Sequence, residues 1–179
     1  DEEVVELNKS YDFAHGRQGE LWWHDLLFLV REVEKHGSRA LIWSDGNWYM
    51  DGFVEKMPKS VVQSNWYYWN DVAKIEPKAD QPKPKDEVHP MCPGRNHTVE
   101  LRTFLELNRA GLDQMPSATN WNNPQNMHDV AEYCIRRIDP GHLLGFLFET
   151  WEFTVNHDYA MSKHNEYFKL VEPIIKKFG

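Results

Sequence analysis

Arg39-Ala-Leu-Ile-Trp-Ser-Asp45 is a short, continuous apolar run that ends in a tryptophan and a carboxylate. An unbroken apolar run is what a parallel strand buried on both faces requires, whereas a half-exposed strand alternates. Upstream, Glu20 to His36 places Leu26, Leu27, Val30 and Val33 on one face at helical spacing, and Gly37 follows as a helix-stopping glycine. Downstream, Val61-Val-Gln-Ser-Asn-Trp-Tyr-Tyr-Trp69 predicts a second strand, with at most a short helix between Asp51 and Met57. His97 to Ala110 predicts a helix ended by Gly111. Gln114 to Trp121 predicts a weaker strand, interrupted by Pro116. Asn126 to Ile138 is helical in its spacing, His142 to Trp151 is a strand, and Asp158 to Phe178 is a last helix containing Pro173. Alternation of this kind predicts a parallel sheet covered by helices. Lys74 to Arg95, with five prolines, is expected to be one long loop.

The 179 residues suit a single domain, 1–179. Eight Trp, seven Tyr and nine Phe are an unusual aromatic content that composition alone would assign to a large aromatic core, so their positions decide the reading. Every predicted strand ends in tryptophan beside a polar group: Trp43-Ser-Asp45, Trp66-Tyr-Tyr-Trp69, Asn120-Trp121-Asn122 and Glu149-Thr-Trp151-Glu152. In a (β/α)₈ barrel the active site lies at the C-terminal ends of the strands. Four such ends aim indoles, amides and carboxylates at one place. Indole faces pack on the C–H faces of sugar rings, and an apolar surround raises the pKa of a carboxylic acid so that it can donate a proton near neutrality. Asp45, Glu149 and Glu152 are the carboxylates at those ends.

Other chemistries find no support. The net charge of −8 argues against nucleic acid as a partner. No run has the apolar length of a membrane span, and no signal peptide is visible at the start. Nine histidines form no ligand spacing, so no metal is expected, and no Gly-rich phosphate loop or G-x-S-x-G elbow is present, so no cofactor is expected either. Cys92 and Cys134 lie far apart, read as two ordinary thiols and fix no compartment.

The Asp1-Glu2 pair, a helix ending at His36-Gly37 and the strand Ile42-Trp-Ser-Asp45 together resemble the β-N-acetylhexosaminidases of glycoside hydrolase family 20. The order matches the end of strand four, helix four and strand five of that barrel. Asn65-Trp-Tyr-Tyr68 resembles its strand-six or strand-seven Trp/Tyr segment, and Phe148-Glu-Thr-Trp-Glu152 its strand-eight tryptophan and carboxylate. The resemblance implies an α/β fold, the C-terminal half of a (β/α)₈ TIM barrel from the end of strand 4 to helix 8. It also implies removal of terminal N-acetylhexosamine from glycans by a substrate-assisted retaining mechanism, an exception to the two-carboxylate scheme. Asp1 would orient the 2-acetamido group and Glu2 would be the acid and base. Tyr67 or Tyr68 would bind the acetamido oxygen; Trp43, Trp66, Trp121 and Trp151 would wall the pocket; Asp45, Glu149 or Glu152 would take sugar hydroxyls. The alternative is a non-catalytic carbohydrate-binding protein or a degenerate hydrolase using the same tryptophan-lined pocket; a different barrel hydrolase, with Asp45 and Glu149 or Glu152 as its carboxylate pair, is a third option.

A whole barrel takes about 250 residues. Half of one leaves two strand edges bare. The sequence therefore reads as a cleaved or truncated chain whose partner is the missing N-terminal half of the barrel, or as a half barrel that forms a homodimer.

Overall fold

Parallel pairing between successive strands organises the computed structural model, which describes residues 19–81, 97–121, 123–151 and 157–178. The chain divides into two compact units, Asp1–Ala40 and Leu41–Gly179, where the sequence reading expects one domain. In the first unit, helix α1 spans Glu20–Lys35, and the rings of Trp22 and Trp23 meet edge to face with centres 4.9 Å apart. The chain leaves it through Gly37 at φ 73°, a left-handed turn that a side chain would strain.

The second unit opens with β1, Leu41–Trp43, a 3₁₀ turn over Ser44–Trp48 and the one-turn helix α2, Phe53–Lys56. There follow β2 (Val62–Ser64), α3 (Val72–Ala79), α4 (His97–Arg109), β3 (Ser117–Thr119), α5 (Asn126–Arg137), β4 (Leu147–Glu149) and α6 (Asp158–Phe178). β1 pairs in parallel with β2, Leu41 opposite Val62 and Trp43 opposite Ser64. β3 pairs in parallel with β4, Ser117 opposite Leu147 and Thr119 opposite Glu149. Parallel bridges Gln63–Gln114 and Trp66–Ser117 join the two ladders, with backbone bonds from Met115 to Gln63 at 2.9 Å and from Ser117 to Asn65 at 2.8 Å. The spatial order is therefore the chain order, β1 to β4. Among the described residues these strands do not close on themselves, and the outer edges of β1 and β4 carry no further strand.

Alternation along each strand sends successive side chains to opposite faces. Tyr67 and Ala118 point to the helices and join Phe104 and Leu101 of α4, Met127 and Val130 of α5, and Ile174 of α6 in the main core. Polar residues on that face find backbone partners: Asn65 donates to the Glu100 carbonyl at 2.8 Å and Gln114 to that of Phe104 at 3.1 Å. Cys134 is a free thiol fully inside this core, where burial pushes its pKa up; Cys92 lies outside the described residues.

The expected loop from Lys74 to Arg95 needs correction. Its first part is the helix Val72–Ala79, with Pro77 inside it. Proline removes one helical hydrogen bond, and tertiary contacts offset that loss. Val72, Ile75 and Ala79 enter the core. Glu76 receives both guanidinium nitrogens of Arg136 at 3.2 and 3.1 Å and Arg137 at 2.9 Å, and Arg137 also binds Asp80. Residues 82–96 lie outside the described set.

Two expectations follow. Phe104→Ala, which empties a fully enclosed ring site, is expected to cost about 3–5 kcal/mol in denaturant unfolding. Arg136 holds the Glu76 carboxyl below its ordinary range, and Arg137 does the same for Asp80. A lowered folded pKa gives stability that is present above the ordinary carboxylate range and is lost as pH falls through the lowered value. Glu76→Gln is therefore expected to melt below the wild type at pH 7, with the gap closing below about pH 4, as thermal scans at stepped pH would record.

Candidate functional site

On the face opposite the helices, the strand ends enclose a cavity of about 560 Å³ lined by Trp43, Asp45, Trp66, Tyr68, Trp69, Trp121 and Trp151. Its size falls within the roughly 300–1,000 Å³ of small-molecule sites. All four strand ends contribute to its wall. Trp43 closes β1 and Asp45 sits in the 3₁₀ turn after it. Trp66 and Tyr68 lie two residues apart beyond β2 and stack with ring centres 4.8 Å apart at 19°. Behind them Trp48 packs edge-on to Trp66 at 4.4 Å and anchors its indole N–H on Asn65 at 3.2 Å. Trp121 follows β3 and Trp151 follows β4, and both are more than half exposed at the rim.

Six of the sequence-selected residues thus meet around one cavity: Trp43, Asp45, Trp66, Tyr68, Trp121 and Trp151. Glu149 stands just behind its wall. One oxygen of its carboxylate, Oε1, accepts the Tyr68 hydroxyl at 3.0 Å and the Ser117 hydroxyl at 2.5 Å. Burial pushes the Tyr68 phenol well above its ordinary range; opposing hydrogen bonds from Ser117 and then the Trp151 indole ease this, and the Glu149 charge adds to it. At pH 7 Tyr68 is a neutral donor.

Tyr67 is corrected. It is wholly enclosed on the helix side, with its hydroxyl given to Asp71, and burial pushes its phenol higher still. The reason is the strand period of two: with Tyr68 turned to the cavity, Tyr67 must turn to the core. Asp1, Glu2 and Glu152 lie outside the described residues.

The sequence reading missed two participants. Trp69 lies at the end of the Trp66-Tyr-Tyr-Trp69 run, where strand alternation has lapsed and no longer fixes a side. Its place is set by partners far away in sequence: its indole donates to Glu100 at 2.5 Å, its carbonyl accepts Asn126 at 2.7 Å, and its ring lies 4.4 Å from that of His97. Ser117 carries no sequence signal, being one small residue at the start of β3.

Trp151 is the one described non-glycine residue with positive φ, at 52°. The left-handed region costs an L-residue roughly 1–2 kcal/mol, and such strain gathers where a site over-determines the backbone. Here the ring is held edge-on to Tyr68 at 5.9 Å.

A cavity of about 660 Å³ opens beside α2 and α4, lined in part by Asp51, Glu55, Lys59, Glu106 and Arg109. Asn47 there donates to Glu106 at 2.6 Å and Lys59 to the Ala110 carbonyl. Its charges are mixed and it offers one aromatic side chain, Phe53, so the tryptophan cavity is the better-built site. Among the described residues no group of His, Cys, Asp and Glu could hold a metal ion, and no helix is long and apolar enough to cross a membrane.

Trp151→Gly removes both the backbone strain and one rim ring. The left-handed cost roughly cancels an edge-to-face contact worth about 0.5–1.5 kcal/mol. Unfolding stability is thus expected to stay within about 1 kcal/mol of the wild type, while ligand affinity at the cavity falls. A large loss of stability together with unchanged affinity would show that the residue serves the fold instead.

Comparison of the chain with protein-family models, with curated proteins and with solved structures finds no match.

Proposed function

We propose that the tryptophan cavity binds a terminal N-acetylhexosamine and that the chain is a glycoside hydrolase acting by a substrate-assisted retaining mechanism. The observation that carries this reading is the convergence of five indoles, one phenol and one carboxylate at the C-terminal ends of four parallel strands laid out in chain order. That is where a (β/α)₈ barrel keeps its chemistry. The four βα units are, on this reading, the C-terminal half of such a barrel, from the end of strand 4 to helix 8. The outer edges of β1 and β4, which carry no further strand among the described residues, would take the other four units, from an N-terminal half of the barrel or from a second copy.

In the proposed reaction the substrate's acetamido oxygen attacks the anomeric carbon, and the glycosidic C–O bond breaks as Glu2 gives its proton to the leaving oxygen. Asp1 orients and polarises the acetamido group. Water, deprotonated by Glu2, then opens the oxazolinium ion and restores the acetamido sugar with retained configuration. Indole faces of Trp66 and Trp151 hold the ring, and Asp45 accepts a hydrogen bond from a sugar hydroxyl.

A second reading, a carbohydrate-binding protein without turnover, is favoured by one observation. Asp45 is the single carboxylate lining the cavity among the described residues, enough to hold a sugar but short of an acid–base partner.

Hydrolysis of a chromogenic aryl N-acetyl-β-glucosaminide, beside the plain aryl β-glucoside, separates the two. Release from the acetamido substrate alone is expected, with Glu2→Gln abolishing turnover and sparing sugar binding. Binding without release from either substrate would establish the second reading.

A further inference from the structure

Ser117 has a polar partner that the fold alone does not require. It is fully enclosed in β3, and its hydroxyl lies 2.5 Å from Glu149 Oε1 and 3.3 Å from the Tyr68 hydroxyl. Tyr68 donates to the same Oε1 at 3.0 Å. One carboxylate oxygen therefore takes two donors, one from a residue lining the cavity and one from a residue wholly behind it. A phenolic O–H turns about its C–O bond between two positions in the ring plane, so Tyr68 can give its proton to Glu149 or to another acceptor. If Tyr68 were the sole donor, turning it away would strip Oε1 of its hydrogen bonds in a half-buried setting, which is costly.

We propose that Ser117 is a positioning residue: it keeps Glu149 Oε1 hydrogen-bonded while Tyr68 swings its proton to an acceptor on the ligand. The site thereby favours sugars carrying a carbonyl-bearing substituent over sugars with a plain hydroxyl. This rests on the sugar-site reading and adds to it a residue that never touches the ligand. Ser117 acts through Glu149, and what it sets is the free energy of turning Tyr68. No proton leaves the network: Tyr68 exchanges one acceptor for another and Ser117 retains its own.

The test is a tryptophan-fluorescence titration of the full chain with methyl N-acetyl-β-glucosaminide and with methyl β-glucoside. The wild type is expected to prefer the acetamido sugar. Ser117→Ala should weaken that sugar about tenfold, the size of one lost hydrogen bond, and leave the glucoside within about twofold. Ser117→Cys, which fills the space with a weak donor, should do the same, and Ser117→Thr should restore the preference. In a Tyr68→Phe background Ser117→Ala should change nothing further, because the two act as a unit. Equal weakening of both sugars, or additive effects of the two substitutions, would reduce Ser117 to a packing residue and overturn the inference while the sugar site stands. A wild type that binds neither sugar would overturn the sugar-site reading and this inference with it.

Discussion

A parallel strand has two faces, and each must be met by something other than bulk water. In this chain the helix-facing residues of the strands, among them Tyr67 and Ala118, are met by α3, α4, α5 and α6. The other face is met by aromatic rings from the strand ends, which pack on one another as much as on the backbone. Trp48, Trp66 and Tyr68 form a continuous row of rings, the first contact edge-on and the second stacked. It is tied to β3 and β4 through hydrogen bonds at Glu149. Position on the strand thus decides role: a shift of one residue in β2 would send Trp66 and Tyr68 to the core and Tyr67 to the cavity.

Most of the helices were legible because their apolar spacing is local information. Asp158–Phe178 emerges with the bounds its pattern suggests, Pro173 included. Strand ends were legible through their tryptophans, although the hydrogen-bonded ladders are only three residues long. Three things were not legible, for one common reason. The helix Val72–Ala79 depends on guanidinium groups about sixty residues away, Trp69 on Glu100 and Asn126, and Ser117 on Glu149. In each case the deciding partner is brought in by the fold, and no spacing along the chain records it. The choice between Tyr67 and Tyr68 lay between these extremes: alternation required that they differ, and register decided which one faced the cavity.

The site and the core also differ in how they spend stability. The core residues are buried, and none of them has a positive φ. The rim residues Trp43, Trp121 and Trp151 are 40%, 51% and 56% exposed, and one of them is held in the left-handed region. Large apolar rings left open to water and a strained backbone both cost stability. Both are expected where rings await a ligand rather than a packing partner.

Among the described residues, the strands of the second unit pair only with their neighbours in the chain. This has a consequence for biosynthesis. A strand that needs only its immediate predecessor can dock as soon as its own helix has left the ribosome, and the entropic cost of each closure grows only slowly with the length of chain between the paired strands. The aromatic wall is then assembled in the order Trp43, Trp66, Trp121, Trp151. The last strand to emerge brings Glu149, so a nascent chain halted before β4 would leave the hydroxyls of Tyr68 and Ser117 without the carboxylate they share.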